Sequence, residues 1–338
     1  MLVVLMLAPV FAESTDKGNT SLMKAAQENF APLPDKPVFK SDNPSLPAKL
    51  TLGKMLFFDT RLSKSNVFSC NSCHNLSTGG VDNNSFSTGH NWQAGGRNSP
   101  TVLNAALQVA QFWDGRAADV EAQAQGPILN PIEMAATQEL VIARLKTIPE
   151  YVALFKQAYP NQKESLTYKN LADAIGAFER TLLTPSRFDE FLKGNERALN
   201  ANEKAGLKLF MDKGCVNCHN GVTVGGNSFQ KFGVMNTPGF LKDKGRFDLT
   251  KKEDDLNVFK VPTLRNVALT YPYFNDGSVW DLKEAVKVMA WTQLGDKLSD
   301  EEIGKILSFL NALTGKQPEV VMPILPPSTP ATPKPSRG

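Results

Sequence analysis

The sequence predicts a mainly α-helical protein made of two similar halves with long irregular loops. A five-residue motif occurs twice, and strand signals are few and short. Near the end of each half, apolar residues recur at helical spacing and form a closing stripe. With 338 residues, 41% of them hydrophobic, the chain is long enough for two domains with packed cores. We place the boundary near residues 184–186, where a proline follows the first closing stripe.

The repeated motif contains all four cysteines and two of the three histidines of the chain. Its two copies are Cys70-Asn-Ser-Cys73-His74 and Cys215-Val-Asn-Cys218-His219. This spacing is that of c-type haem attachment, because two thiols add to the vinyl groups of one porphyrin while the adjacent imidazole binds the iron. A thioredoxin-like pair or half a zinc site also contains Cys-x-x-Cys, but neither requires the histidine. The sequence therefore predicts a redox protein with two covalently bound haem c groups.

Similar segments surround the two motifs. Residues 52–57 and 205–210 lead into them with related Gly-, Lys- and Phe-containing sequences, and Gly-Gly pairs follow both. The closing stripes comprise Leu171, Ile175, Phe178 and Leu182 in the first half, and Ile303, Ile306, Leu310 and Leu313 in the second. Ser299 and Glu302 form a capping-box pattern before the second stripe. We interpret the stripes as packing surfaces, and the chain as two cytochrome c-like domains that each enclose one haem.

Counting the possible iron ligands makes the two haems unequal. With His74 and His219 as proximal ligands, only His90 remains as a sixth imidazole. At most one haem is therefore bis-histidine, and the other uses methionine, another group or an open position, which separates the two potentials. His90 lies in a polar, Gly-containing segment that reads as a loop, so the alternative is an exposed loop histidine. We favour ligation, because a haem in the same segment needs a partner.

The two ends of the chain differ from its middle. Residues 1–12 form an apolar run that ends in a small residue, which is typical of an export signal although the basic start is missing; the alternative is a buried N-terminal segment. We assign 13–185 to the N-terminal haem domain, 186–319 to the C-terminal haem domain, and 320–338 to a Pro-rich tail predicted to be extended or disordered. The net charge of +3 and the absence of any nucleic-acid motif argue against nucleic-acid binding.

Beyond the haem motifs, several stretches resemble the bacterial di-haem cytochrome c peroxidase family from about Pro44 to Gly315. They are Gly-His90-Asn-Trp-Gln, Arg97-Asn98-Ser-Pro-Thr-Val-Leu-Asn, Gln111-Phe-Trp113-Asp-Gly-Arg, Lys260-Val-Pro-Thr-Leu-Arg-Asn and Val288-Met289-Ala. The resemblance implies a low-potential peroxidatic haem in the N-terminal domain, with His90 as its detachable distal ligand. It also implies a high-potential haem in the C-terminal domain, where electrons enter, with Met289 as the sulfur ligand. From the residues alone, Met211, Met235 and Met322 remain alternatives.

The same resemblance assigns roles to further residues. Glu133 becomes the acid/base that moves a proton between the peroxide oxygens, with Gln123 as its hydrogen-bonding partner; a helix-start carboxylate is the alternative for Glu133. Trp113 corresponds to the tryptophan between the haems, and plain core packing explains it equally well. Arg246 matches a residue that pairs a propionate of the second haem, with a surface arginine as the alternative.

A calcium ion between the domains is also implied by the family. The matching ligands are the Asn98 side chain and the backbone carbonyls of Thr270 and Pro272. Hard oxygen donors of this kind suit Ca²⁺.

The activity implied is the reduction of hydrogen peroxide to water in the periplasm by a homodimer. The electrons come from a small redox protein, either a cytochrome c or a cupredoxin. Reduction of the second haem, with calcium bound, is expected to release His90 and open the first. Two other classes remain: a di-haem electron carrier without a substrate, and a relative that oxidises residues of a partner protein. The latter is expected to replace the methionine ligand with tyrosine, and Met289 argues against it.

Overall fold

The computed structural model describes residues 13–336 and is mainly helical, as the sequence predicts. Within these residues no helix is both long enough and apolar enough to span a bilayer. The predicted signal segment, residues 1–12, lies outside the described part of the chain. The α-helices are α1 Glu13–Asn29, α2 Pro47–Phe58, α3 Cys70–Cys73, α4 Val120–Leu129, α5 Gln138–Lys146, α6 Pro149–Ala158, α7 Tyr168–Glu179, α8 Arg187–Leu192, α9 Ala201–Asp212, α10 Phe247–Thr250, α11 Leu282–Met289 and α12 Asp300–Ala312.

Short 3₁₀ turns and one small sheet complete the secondary structure of the described residues. The 3₁₀ turns are Thr60–Leu62, Leu76–Thr78, His90–Trp92, Ala105–Leu107, Glu196–Ala198, Cys215–Asn217 and Glu253–Asp255, and a π-turn, Ala290–Leu294, continues α11. The sheet is the antiparallel pair β1 Phe229–Lys231 and β2 Val258–Lys260, in which Phe229 pairs with Lys260.

Two separate hydrophobic clusters form the cores. The first is built mainly from α2 and α4 to α7, and the second mainly from α8, α9 and α12. The closing stripes lie on α7 and α12 except for their last residues, Leu182 and Leu313, which follow the helix ends and are also buried. The Ser299 backbone N–H donates to Glu302 Oε2 over 2.8 Å, and the Glu302 N–H donates to Ser299 Oγ over 3.2 Å, which confirms the predicted capping box.

The repeated glycine in the segments before the haem motifs has a packing reason. A Cβ on Gly53 of α2 would lie 1.8 Å from the carbonyl oxygen of Ala174 in α7, and a Cβ on Gly206 of α9 would lie 1.9 Å from the carbonyl oxygen of Lys305 in α12. In each half, the helix that precedes the haem motif therefore crosses the closing helix at a point where only glycine fits. The cost of glycine in a helix, about 1 kcal/mol relative to alanine, is offset by this close crossing.

Residues 22–30 pack on the second core, which corrects the predicted domain range. Met23, Ala26 and Phe30 belong to the second hydrophobic cluster, and the Phe30 ring meets Phe188 edge-on at 5.3 Å. The assignment of everything from residue 13 to 185 to the first domain therefore fails at its beginning. The physical reason is that α1 offers its apolar residues to α8, a contact that no local pattern encodes.

The described part of the Pro-rich tail, residues 320–336, is extended and packs against the first half. The Arg144 guanidinium is fully buried and donates to the carbonyls of Pro333 and Lys334 in the tail, over 3.2 Å each. The same guanidinium also donates to the carbonyls of Arg61 and Ser63, over 2.8 and 2.6 Å. The tail thus supplies carbonyl acceptors to a buried cation, which offsets the entropy of ordering it.

Candidate haem-binding active site

The first cysteine pair lies on a single helical turn that presents both thiols and the following imidazole together. α3 begins after Ser69, whose N–H donates to Ser72 Oγ over 2.9 Å, and the His74 N–H donates to Cys70 O over 2.9 Å. His74 Nδ1 lies 3.0 Å from Pro100 O. A proton on Nδ1 donates to this carbonyl and leaves the Nε2 lone pair for iron. Burial lowers the pKa of His74, which favours the neutral ligating form.

The second pair has the same arrangement on a 3₁₀ turn. The His219 N–H donates to Cys215 O over 3.0 Å, and Gly214 precedes the turn at φ 81°. Burial lowers the pKa of His219 to about 4, so this imidazole is also neutral. All four cysteines are free, which excludes a disulfide and leaves two thiols beside each histidine.

A cavity of about 930 Å³ opens beside the first motif. Cys70, Cys73 and His74 line it, and apolar side chains such as Val102 and Ile128 cover much of the wall. Its volume and its donor set of one imidazole and two thiols fit a covalently bound haem, because the porphyrin is a large apolar body. The residues that would hold it are the three of the motif.

Glu133 lies in the wall of this first cavity, as the family resemblance implies. Burial raises the pKa of its carboxyl, and the charge of Arg116 and a hydrogen bond from Asn130 oppose that rise. Asn130 Nδ2 donates to Glu133 Oε1 over 2.7 Å and fixes the carboxyl. Gln123, the expected partner, lines the same cavity, but the hydrogen bond to Glu133 comes from Asn130. Sequence reasoning missed Asn130, although its position three residues before Glu133 in a turn was a usable signal.

His90 is buried at 4% exposure, but it is not among the residues that line the first cavity. Its backbone N–H donates to Glu133 O over 2.8 Å, and its carbonyl accepts from Gln93 Nε2 over 3.0 Å. A Cβ on the preceding Gly89 would lie 2.2 Å from Ile132 O, so this loop is seated directly on the segment that carries Glu133. The buried Nδ1 of His90 has no hydrogen bond within residues 13–336. Ligation by His90 therefore stays a prediction that this arrangement does not show.

The second cavity, of about 260 Å³, holds Cys215, Cys218, His219 and Met289 in its wall. Met289 is the last residue of α11, where the helix changes to a π-turn, a feature frequent at functional sites. Among the described residues, the other candidate methionines do not line it. Met235 and Met322 are exposed, and Met211 packs beside the second core.

Trp113 belongs to the walls of both cavities. Its indole Nε1 donates to Asn98 O over 2.9 Å, and its carbonyl accepts from the Lys260 N–H over 2.8 Å. The indole therefore lies between the two predicted haem sites, and its position is fixed by both halves of the chain. Such a fixed, half-buried aromatic suits a bridge as well as packing.

The three residues matched to a calcium site come together in the wall of the second cavity. Asn98, Thr270 and Pro272 all line it. Asn98 Nδ2 donates to Asn84 O over 2.8 Å, so its Oδ1 remains as an acceptor, and no hydrogen bond within residues 13–336 reaches the Thr270 or Pro272 carbonyl. Free neutral oxygens of this kind fit Ca²⁺ with water completing the shell. The described residues hold no cluster of three His, Cys, Asp or Glu side chains that could bind a metal instead.

Arg246 lines neither cavity. Its Nη1 donates to Asp114 O over 2.7 Å, and its guanidinium lies 4.2 Å from the Phe229 ring centroid. The expected pairing with a propionate therefore has no support in this arrangement. Lys260 is the buried cation in the wall of the second cavity, where burial lowers its pKa to about 8 and its Nζ donates to Gln108 Oε1. Lys260 begins one of the stretches that resemble the family, but the sequence assigned it no role, because a lysine on a short strand usually faces solvent.

Comparisons with known proteins identify the family of the chain. The profile of the di-haem cytochrome c peroxidase family matches residues 47–197, and the cytochrome c profile matches residues 203–314. The chain is 49% identical over 321 residues to a cytochrome c551 peroxidase of Pseudomonas aeruginosa, covering 94% of this chain and 93% of that protein. It is 50% identical over 313 residues to a cytochrome c551 peroxidase of Nitrosomonas europaea, covering 92% and 91%.

A solved structure shares the fold. The crystal structure of a MauG-like protein associated with microbial copper homeostasis superposes with a TM-score of 0.74 at 28% identity, covering 84% of this chain and 95% of that one. Two cytochrome c-like halves, each with a free Cys-x-x-Cys-His turn on a cavity wall, agree with these matches. The chain belongs to the bacterial di-haem cytochrome c peroxidase family and carries two haem c groups.

Proposed function

We propose that this protein reduces hydrogen peroxide to water in the first cavity, with Glu133 as the acid/base. The observation that carries this is a half-buried carboxyl, held by Asn130, in the same cavity wall as the first haem-attachment motif. An electron carrier has no need of an ionisable group there, whereas peroxide cleavage does. The family matches support the same reaction.

Each residue of the two haem sites has its own role. His74 would hold the iron of the first haem and His219 with Met289 that of the second; bound haem supplies the redox chemistry. Glu133 accepts the proton from the inner oxygen of peroxide and delivers it to the outer oxygen, so that water is the leaving group. Asn130 keeps Oε1 in place for both transfers. Because burial raises the pKa of Glu133, the accepting carboxylate is lost as pH falls through that raised value.

His90, Trp113 and calcium complete the proposal. His90 acts as the detachable ligand of the first haem, and Trp113 connects the electron-entry site to the peroxide site. Asn98, Thr270 and Pro272 bind the calcium ion that keeps Trp113 in place, since Asn98 O accepts from the indole. The donor is a small cytochrome c or cupredoxin, and the protein works as a periplasmic homodimer. Support for the periplasm comes from the haem motif, whose attachment takes place outside the bacterial cytoplasm.

Steady-state peroxide consumption with a reduced cytochrome c tests the proposal. Glu133→Gln preserves the shape of the side chain but cannot accept a proton, so turnover should fall by roughly 10²- to 10⁴-fold. The absorption spectra of both haems should stay unchanged. Glu150→Gln, an exposed glutamate on α6 of the same half, is the matched control and should keep full activity. Unchanged turnover in Glu133→Gln would remove Glu133 from the mechanism.

The electron-carrier alternative is tested by the same preparation. If the reduced wild-type protein consumes no peroxide, and both irons stay low-spin and six-coordinate in every redox state, the chain is a carrier. A high-spin first haem that appears after reduction, together with turnover, supports the peroxidase.

A further inference from the structure

One carboxyl in the wall of the first cavity has no part in the chemistry above. Glu179 is the last residue of α7, is 5% exposed, and lines the cavity with Ala124 and Ile128 of α4. Within residues 13–336 no donor forms a hydrogen bond or an ion pair with its side chain. A buried carboxyl without a partner is costly, and this one faces the space that the haem would fill.

The nearest cation cannot neutralise Glu179. Arg180 follows it directly, but its guanidinium forms a bidentate pair with Glu121, from Nε to Oε1 and from Nη2 to Oε2, over 2.8 Å each. Its remaining Nη1 donates to Val38 O over 3.2 Å. All three guanidinium nitrogens of Arg180 are therefore used by other partners, and the charge of Glu121 acts on Glu179.

The surroundings favour the protonated form of Glu179. Burial raises the pKa of this carboxyl to about 8, the charge of Glu121 adds to the rise, and Arg180 opposes it. In the cavity without haem this carboxyl therefore titrates close to the working range, and the positive charge of a bound oxidised haem would favour its carboxylate form. A small change of charge in the cavity is enough to change its protonation.

The other elements packed around α7 do not supply a competing charge. From α2, Lys49 donates to Asn43 Oδ1 and Pro44 O, over 2.8 and 3.0 Å. From α5, Arg144 is committed to backbone carbonyls. The Cys70 thiol from the haem-binding turn becomes a thioether on haem attachment and then no longer titrates. Glu179 is left as the group that responds to charge in this part of the cavity.

We propose that Glu179 takes up the proton that accompanies reduction at the first haem site. This inference rests on the proposed function only in that the first cavity holds the iron at which peroxide is reduced. The reaction H₂O₂ + 2H⁺ + 2e⁻ → 2H₂O consumes two protons from solvent. Glu133 moves a proton between the two peroxide oxygens and ends as it began, so it supplies neither of these. When one electron arrives, one positive charge is lost in the cavity, and the Glu179 carboxylate binds one solvent proton to become the acid.

The first test is a spectroelectrochemical titration of the intact di-haem protein at a series of neutral and mildly alkaline pH values. Uptake of one proton per electron lowers the midpoint potential of the first haem by about 59 mV for each tenfold fall in proton concentration. The midpoint potential falls as pH rises because reduction of the haem raises the proton affinity of the Glu179 carboxyl. Glu179→Gln should lose this dependence, while Glu150→Gln should keep it. A Glu179→Gln protein with the wild-type slope overturns the proposal.

A second measurement covers the case in which Glu179→Gln fails to incorporate haem. The reduced-minus-oxidised infrared spectrum should gain the C=O band of a protonated carboxyl in the wild type. Glu133→Gln should retain this band, because it removes the other cavity carboxyl only. Absence of the band from both proteins overturns the proposal without any need for the Glu179 variant.

These outcomes are separate from those of the proposed function, since neither measurement uses peroxide. A protein with the pH-dependent potential but no turnover contradicts the peroxidase function alone. A protein that turns over peroxide with a pH-independent potential contradicts the role of Glu179 alone.

Discussion

Replacing Gly206 with alanine should destabilise the second half, even though alanine is the better helix former. A Cβ at this position would lie 1.9 Å from Lys305 O, whereas ordinary van der Waals contact begins near 3.4 Å. Because the obstacle is a backbone carbonyl inside α12, it cannot rotate away as a side chain could. α9 and α12 must therefore separate by roughly 1.5 Å in a close-packed core.

The size of the effect follows from two opposed contributions. Removing glycine from a helix interior gains about 1 kcal/mol. Overpacking a core costs about 1–3 kcal/mol and occasionally more, and a fixed backbone obstacle belongs at the upper end. We expect a net loss of about 1–2 kcal/mol in the free energy of unfolding. Phe210 lies on the same helix, with its ring 5.3 Å from Phe309 and 6.5 Å from the His219 imidazole, so the displacement also reaches the second haem site.

The assay is guanidinium unfolding of the haem-loaded protein, followed by far-UV circular dichroism and by haem absorbance. Gly304→Ala is the matched control, because Gly304 lies on the same crossing helix α12 and a Cβ there meets nothing within 4 Å. That variant should be stabilised by up to about 1 kcal/mol. Gly53→Ala should repeat the loss in the first half. If Gly206→Ala is as stable as the wild type, the close crossing does not explain the glycine.

Three further predictions concern buried charge and the metal site. Asp189→Asn leaves the Arg265 guanidinium buried without its counter-charge, so the free energy of unfolding should fall by about 3–5 kcal/mol in denaturant titrations. Burial alone would raise the pKa of Asp189, but Arg265 and backbone donors hold this pKa below its usual value. The stabilisation from Asp189 is therefore present above its unfolded-state pKa and lost as pH falls through its folded-state pKa. An acid-unfolding titration of the wild type and the variant would show this loss. Arg144→Gln should release residues 318–336 to limited proteolysis, read by mass spectrometry, while the haem spectra persist; a protected tail would contradict its anchoring role. Asn98→Ala should weaken Ca²⁺ binding by roughly tenfold or more in calorimetry, and unchanged affinity would place the ion elsewhere.

Local sequence patterns predicted the parts of the molecule that depend on neighbouring residues. The Cys-x-x-Cys-His spacing placed two thiols and an imidazole on one turn, and the 3.6-residue stripes predicted α7 and α12 with their buried faces. The capping box at Ser299 was visible because its two partners are three residues apart. Each of these interactions joins residues only a few positions apart, so a short segment of the sequence contains every residue involved.

Long-range contacts were beyond such patterns. Nothing near Arg144 indicates that its guanidinium binds carbonyls almost 190 residues later, in a tail whose composition suggests disorder. The packing of α1 on the second core depends in the same way on distant Phe188. Lys260 and Glu179 lie in the cavity walls because of which side of their strand or helix faces the haem space, and local sequence patterns do not specify that side.

The family resemblance provided the roles, and the structure shows how two of them are physically linked. The His90 N–H donates to the carbonyl of Glu133, and Gly89 is seated against the Ile132 and Glu133 backbone. If His90 binds the iron as proposed, and the loop moves with it toward the first cavity, the bond to Glu133 would be displaced. Because Asn130 holds the Glu133 carboxyl from the same turn, such a movement also changes the position of the acid/base. On the proposed roles of these two residues, ligation of the iron by His90 and displacement of the Glu133 carboxyl would then occur together.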